Sequence, residues 1–128
     1  MANLQEITDN FDVAASAEDK FAYLIELGRL LPEFDREERD LVPGCASKVW
    51  MRAREEGGVY RFDFASDAAI VRGLLYVLRV MFDGKSGEQI RAMDTGETLG
   101  GMEFAAFLSA ARQVGLKSIL QSIRNMVQ

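Results

Sequence analysis

The chain contains no histidine, a single cysteine and only two prolines among its 128 residues. Without histidine it has no Ser-His-Asp triad, no Cys-His dyad and no histidine-ligated zinc. One cysteine can neither close an internal disulfide nor hold a multi-cysteine zinc or iron–sulfur site within one chain. Carboxylates remain as ligands, but they favour hard cations such as magnesium or calcium. These absences exclude most of the usual catalytic and metal sites.

Length and apolar content indicate one domain. Apolar side chains make up 48% of the chain, and roughly 100–200 residues is the usual size of a domain. We therefore predict a single domain over residues 1–128. Apolar runs all fall short of the ~18 residues of a membrane span, and the acidic segment 1–10 does not resemble a signal peptide. A lone reduced thiol fits the cytosol, so we expect a cytoplasmic protein.

Charge is distributed unevenly around a net value of −5. Residues 1–40 hold 11 acidic and 4 basic side chains, whereas residues 41–128 hold 9 and 11. A chain that is acidic and has no basic run is a poor nucleic-acid binder, because phosphate contacts supply most non-specific affinity. The acidic N-terminal portion has two interpretations, a solvated helical surface or a docking surface for a basic partner.

Apolar spacing changes from helical to alternating and back along the chain. Helical spacing predicts helices over 3–12, 17–30, 67–82 and 87–93, and a last helix capped by Ser109. The glycines at 100–101 predict a break before that helix. The charged run 33–40 is predicted to be solvated.

Between the helices, a β-hairpin is predicted around Gly57-Gly58. The runs 49–54 and 59–64 alternate between apolar and polar residues on either side of this glycine pair, and Leu41-Val42 is a candidate edge strand. A hairpin alone is marginal in water, so helices must cover it. The sequence therefore predicts an α+β, two-layer domain with an antiparallel sheet of two or three strands.

Cys45 is the first candidate for chemistry, in the turn Pro43-Gly44-Cys45-Ala46-Ser47 before the first strand. Turns lie at the surface, whereas most free cysteines are buried small hydrophobes. A nucleophilic cysteine reacts as the thiolate, and its ordinary pKa is near 8.5. Because no histidine exists to take the proton, activation falls to loop amides, to Lys48 or an arginine, or to a partner protein. This favours a thiol that works inside a complex.

Two further residues, Arg112 and Trp50, have both a structural and a functional interpretation, and Gly73 has a structural one. Arg112 lies one turn into the last helix, where the helix dipole disfavours a cation; it is either a snorkelling surface arginine or one that reaches another element or a partner carboxylate. Trp50 is expected to be core or half-buried, with an interface anchor as the alternative. Gly73 costs about 1 kcal/mol relative to alanine inside a helix, which predicts close packing of another element there.

Four segments, in this order, resemble the SufE family of sulfur-acceptor proteins that partner cysteine desulfurases. The most specific is the second, which matches a Gly-Cys-x-Ser-x-Val-Trp signature. The segments are IELGRLLP (25–32), VPGCASKVW (42–50), SDAAIVRGLL (66–75) and SAARQVGL (109–116).

The resemblance implies an α+β fold shared with the iron–sulfur scaffold proteins. It also implies that Cys45 is the acceptor cysteine. The resemblance does not distinguish the SufE sub-branch from the CsdE sub-branch. The resemblance implies a desulfurase partner of the SufS or CsdA type, an iron–sulfur scaffold complex as recipient, and no cofactor on this chain, because pyridoxal phosphate belongs to the desulfurase. The supporting positions that it implies around the cysteine or at a partner are Gly44, Ser47, Lys48, Trp50, Asp67 and Arg112.

Sulfur relay through Cys45 is the leading functional hypothesis, in which the chain is a carrier and desulfurase activator, not an enzyme. Because a bare persulfide reacts with many thiols, a loop is expected to shield Cys45 between encounters. The alternative is a binding module that activates a desulfurase allosterically, with Cys45 structural. A thiol peroxidase or reductase is disfavoured, because neither a resolving cysteine nor an activated thiolate is visible.

Overall fold

The computed structural model describes residues 3–93 and 109–127, and over these ranges it confirms the α+β class. We number the described helices in chain order. A short 3-10 turn, Glu38–Asp40, precedes the sheet. The predicted break at 100–101 lies outside the described residues. The helices are α1 (Leu4–Val13), α2 (Ala17–Arg29), α3 (Ala69–Phe82), α4 (Gly87–Ala92) and α5 (Ala110–Met126), and the strands are β1 (Val49–Glu56) and β2 (Val59–Ser66).

Side-chain caps fix the starts of four predicted helices. At α1, the Asn3 side-chain oxygen accepts from the amide of Glu6 at 2.9 Å. The Ser16 hydroxyl accepts from the amide of Asp19 at 3.1 Å, and the Ser109 hydroxyl accepts from the amide of Arg112 at 3.3 Å. At α4, Ser86 and Gln89 form a reciprocal capping box. Each cap satisfies an amide that the first turn of a helix leaves unpaired.

The start of α3 differs from the prediction. The helix begins at Ala69, two residues later than the spacing predicted. Ser66 ends β2, and its hydroxyl accepts from the amide of Ala68 at 3.2 Å while donating to the carbonyl of Lys48 at 2.7 Å. The strand therefore holds Ser66 and delays the first helical turn.

The hairpin forms around Gly57-Gly58 as predicted. Its strands pair antiparallel from Val49 opposite Ser66 to Glu56 opposite Val59. Both glycines have positive φ, 58° and 87°, the backbone that a two-residue type I′ turn requires. Leu41 makes a single bridge to Trp50 in place of a third strand, so the described sheet has two strands.

The inner face of the hairpin packs on α3. Phe62 lies 6.0 Å from the Phe64 ring and 6.2 Å from that of Phe82, measured between centroids. α3 is buried almost all round, as expected of a central helix with a wide apolar stripe. Its buried residues are Val71, Gly73, Leu74, Leu75, Tyr76, Val77, Leu78, Met81 and Phe82.

Glycines allow α2 and α3 to pack closely. A Cβ atom on Gly73 would lie 2.0 Å from the carbonyl oxygen of Leu24, and one on Gly28 would lie 2.9 Å from the Cβ of Arg72. Real Cβ atoms do not approach this closely, so the contact needs glycine. The close packing expected at Gly73 is confirmed.

The charged run 33–40 is not wholly solvated, contrary to the prediction. Asp40 is only 9% exposed, and its carboxylate accepts from Arg52 on β1 at 2.6 Å. The Arg52 guanidinium lies 5.2 Å from the Phe34 ring, and that of Arg36 lies 4.2 Å from the Trp50 ring. Segment 34–40 therefore lies along the outer face of β1. Sequence spacing missed the Asp40–Arg52 pair because its members are 12 residues apart in different elements.

Candidate functional site

The loop 43–48 crosses α5 at close range. Gly44 has φ +83°, which a residue with a side chain rarely adopts, and a Cβ there would lie 2.6 Å from the Ser118 hydroxyl. One helical turn earlier, a Cβ on Gly115 would lie 3.7 Å from the Cys45 sulfur. Small residues on both sides therefore seat the loop on the helix. Gly115 was within the matched segment 109–116, but periodicity alone gave no sign of its position under the thiol.

Cys45 lies half-buried at the point where the loop meets α5. Its thiol donates to the carbonyl of Gly115, with 3.7 Å between sulfur and oxygen. The side chain faces a cavity of about 40 Å³ beneath the loop. Most of its walls are aliphatic, so the half-buried thiol has largely apolar surroundings. The lining residues are Cys45, Ala46, Ser47, Val49, Val71, Leu74, Leu75, Leu78, Ala111, Arg112, Gly115, Leu116 and Ile119.

Burial raises the pKa of the Cys45 thiol above its ordinary value, because the low-polarity surroundings disfavour the charged thiolate. We expect iodoacetamide to alkylate the folded protein more slowly than the urea-unfolded chain at mildly alkaline pH, since only the thiolate reacts. The midpoint of rate against pH should also lie higher for the folded form. Mass spectrometry after timed quenching measures both. A folded midpoint at or below that of the unfolded chain would contradict the assigned burial.

The sequence-predicted site residues divide into two groups. Gly44 and Ser47 belong to the loop, and the half-buried Arg112 lines the cavity from α5. Across residues 3–93 and 109–127, Arg112 forms no ion pair. It is the one charged side chain among the residues that line the cavity.

Lys48, Trp50 and Asp67 do not line the cavity. Lys48 is exposed and contributes its carbonyl to Ser66. Trp50 is half-buried on the other face of β1, against the Arg36 guanidinium. Asp67 is exposed just before α3. These positions fit surface or partner roles more readily than contact with the thiol.

Other chemistry finds little support in the described part of the chain. Cys45, aspartates and glutamates there form no cluster suited to a metal ion. The described helices also lack one long and apolar enough to cross a bilayer.

The site and the fold define a class: an α+β domain that carries one cysteine on a loop, sheltered against its last described helix. Comparison with known proteins agrees. The family model for SufE, an Fe-S metabolism associated domain, matches residues 5–127. An uncharacterised SufE-like protein of Rhizobium etli is 37% identical, over 97% of this chain and 88% of its own length. One from Rhizobium meliloti is 35% identical, over 98% and 94%.

A solved structure supports the same fold. It is the solution structure of a hypothetical protein from Thermus thermophilus, with a TM-score of 0.73 at 24% identity, covering 97% of this chain and 92% of that one. The chain belongs to the SufE family. The family role is that of a sulfur acceptor and cysteine desulfurase activator, and membership implies a cysteine desulfurase as partner.

Proposed function

We propose that Cys45 accepts sulfane sulfur from the persulfide of a pyridoxal-phosphate-dependent cysteine desulfurase and passes it to an iron–sulfur assembly scaffold. The observation that carries this proposal is a single thiol on a short loop, sheltered in an apolar cavity. Cofactor chemistry stays with the desulfurase, so this chain needs no cofactor of its own.

The transfer is an exchange at sulfur. Cys45 loses its proton and attacks the outer sulfur of the desulfurase persulfide. A new S–S bond forms on Cys45 while the bond to the desulfurase cysteine breaks. That cysteine leaves as a thiolate and takes up a proton, so atoms and charge balance without an oxidant or reductant. A second exchange of the same kind hands the sulfur to the recipient.

The cavity fits a temporary cargo. Its volume of about 40 Å³ exceeds the ~10–15 Å³ that a water molecule needs, which leaves room for one more sulfur atom on Cys45. Walls formed by Val71, Leu74 and Ile119 would separate a persulfide from thiols in solution. The arrangement supports a carrier that protects its sulfur between encounters.

Attack on a partner persulfide requires access to the Cys45 sulfur, which the resting loop restricts. We therefore expect loop 43–48 to move when the desulfurase docks. Hydrogen exchange of the amides in this loop should become faster in the complex, while the amides of the β1–β2 ladder, which pair across the hairpin, serve as the internal control. Unchanged exchange over 43–48 would count against the motion.

The test of the proposal compares wild type with Cys45→Ser. Each is mixed with the desulfurase and free cysteine, and intact masses are recorded. Wild type should gain the mass of sulfur, whereas the serine variant should gain none, because its hydroxyl cannot form the S–S bond. Sulfur on the serine variant would overturn the assignment of Cys45.

The burial of Cys45 also supports a second candidate function. The half-buried thiol, its bond to the Gly115 carbonyl and its raised pKa also suit a structural cysteine in a module that activates a desulfurase allosterically. That function expects full stimulation of the desulfurase by Cys45→Ser and no sulfur on wild type. The same mass experiment, run beside a sulfide-release assay, separates the two candidates.

A further inference from the structure

A second cleft lies at the end of β2, beside the α2–α3 contact. It occupies about 510 Å³ between the C-terminal end of α2, the segment after it, the end of β2 and the first turn of α3. Three arginines from separate elements border it, and we call it the arginine cleft. Its lining residues are Gly28, Arg29, Leu31, Pro32, Glu33, Arg36, Phe64, Ala65, Ser66 and Arg72.

Arg36 and Arg72 are oriented by contacts with neighbouring groups, and Arg29 forms an exposed ion pair. Arg36 stacks on the Trp50 ring at 4.2 Å. Arg72 donates to the carbonyl of Ser66 at 3.4 Å. Arg29 pairs with Glu26 at 2.9 Å, with 71% of its side chain exposed. Oriented guanidinium groups lose less freedom when they bind a carboxylate, and their planar forks suit its two oxygens.

The cleft is positive on a molecule that is negative. The whole chain has a net charge of −5, whereas the described lining of the cleft holds three arginines and one acid, Glu33. With Glu26, which pairs with Arg29, the local balance is still positive, at 3 − 2 = +1. The first turn of α3 has neither an acidic side chain nor a side-chain cap, so its dipole adds positive potential near Arg72. A local field of this sign attracts an acidic surface and orients it before contact.

The cleft and the thiol lie at the same end of the hairpin. Ser66 lines the cleft, and it pairs with Val49. Val49 in turn lines the Cys45 cavity on the inner face. The Ser66 hydroxyl also holds the carbonyl of Lys48 at 2.7 Å, at the end of the cysteine loop. A macromolecule seated in the cleft therefore stands next to loop 43–48.

We propose that the arginine cleft is the docking site for an acidic surface segment of the cysteine desulfurase, which it holds beside the Cys45 loop. This rests on the proposed function for the identity of the partner. A protein segment suits the cleft better than a small anion, because the arginines are exposed around an open groove that also has apolar walls, Leu31 and Pro32. This docking mode requires an acidic surface on the partner, whereas docking through the acidic surface of α1 and α2 would require a basic one.

The test measures the dissociation constant of the desulfurase for Arg29→Gln/Arg36→Gln/Arg72→Gln at low and at physiological ionic strength. Loss of three charges at a complementary contact should raise Kd by about tenfold or more and flatten its dependence on salt. Arg29→Gln/Arg72→Gln, which leaves the Arg36–Trp50 stack intact, should give an intermediate result. Arg91→Gln is the matched control, because Arg91 is exposed on α4 outside the cleft.

Wild-type Kd and salt dependence in both cleft variants would overturn the proposal, and so would an equal loss in Arg91→Gln. Tripolyphosphate binding that the cleft variants abolish, with desulfurase affinity unchanged, would assign the cleft to a small anion instead. Intact mass in the same mixtures reports sulfur on wild-type Cys45. If wild-type Cys45 gains sulfur but the arginine substitutions leave Kd unchanged, the docking proposal alone is refuted. If the substitutions raise Kd but wild-type Cys45 gains no sulfur, the proposed function alone is refuted.

Discussion

Gly73→Ala is expected to lower the free energy of unfolding by about 3 kcal/mol, within the upper range for overpacked cores. The new methyl group would meet the carbonyl oxygen of Leu24 at 2.0 Å. Backbone cannot rotate away as a flexible side chain does, so α2 and α3 must separate along their whole contact. The favourable helix propensity of alanine, about 1 kcal/mol, offsets only part of this cost.

Urea unfolding followed by circular dichroism measures the effect of Gly73→Ala. The matched control is Gly115→Ala in α5, where the added Cβ meets its nearest atom at 3.7 Å, an ordinary contact. That variant should be unchanged or slightly more stable, because it gains helix propensity without a clash. Equal stabilities for the two variants would show that the α2–α3 contact adjusts freely, and would contradict the close packing at Gly73.

Asp40→Asn is expected to cost about 1.5–3 kcal/mol at neutral pH, the usual range for a hydrogen bond to a charged group. The nearly buried carboxylate accepts from Arg52 at 2.6 Å and from the amide of Glu37 at 2.9 Å. The hydrogen bond from Arg52, more than any other contact, lowers the pKa of Asp40 below its ordinary value. Removing the charge leaves Arg52 without its strongest partner.

The pH dependence of that loss has a definite sign. Because the folded pKa is lowered, the charged form stabilises the fold fully above the unfolded pKa, and the contribution disappears as pH falls through the folded pKa. Wild type and Asp40→Asn should therefore differ in urea midpoint at neutral pH and converge in strong acid. Asp63→Asn is the control, since its partner Arg54 is about half exposed and such pairs contribute about 0–1 kcal/mol. A difference that persists unchanged into acid would contradict the assignment.

Local signals in the sequence predicted much of the fold. The glycine pair at 57–58 predicted the hairpin because only a backbone with positive φ closes so short a turn. The start of α4 is likewise set locally, because the Ser86–Gln89 capping box is completed within four residues. Cys45 was identified as the candidate site because its turn context is equally local.

Contacts between distant segments were not predictable in the same way. In the sequence, Asp40 is indistinguishable from the charged residues around it, because its partner Arg52 lies on β1. The position of Gly115 under the Cys45 sulfur depends on how α5 crosses the loop, which no periodicity encodes. The arginine cleft combines Arg29, Arg36 and Arg72 from three elements, so each arginine alone carried no distinguishing signal in the sequence.

The short span of the cysteine loop limits how far the Cys45 thiol can move. The amide of Val42 donates to the carbonyl of Val49 at 2.8 Å, so both ends of loop 43–48 are anchored at one place. Roughly six residues extend at most ~20 Å in total, and a loop that must return to its base reaches only about half as far. Cys45 therefore cannot move far from the body of the domain. In the proposed sulfur relay, delivery would therefore depend on diffusion of the whole domain from donor to recipient, and its rate should scale with the concentration of free carrier.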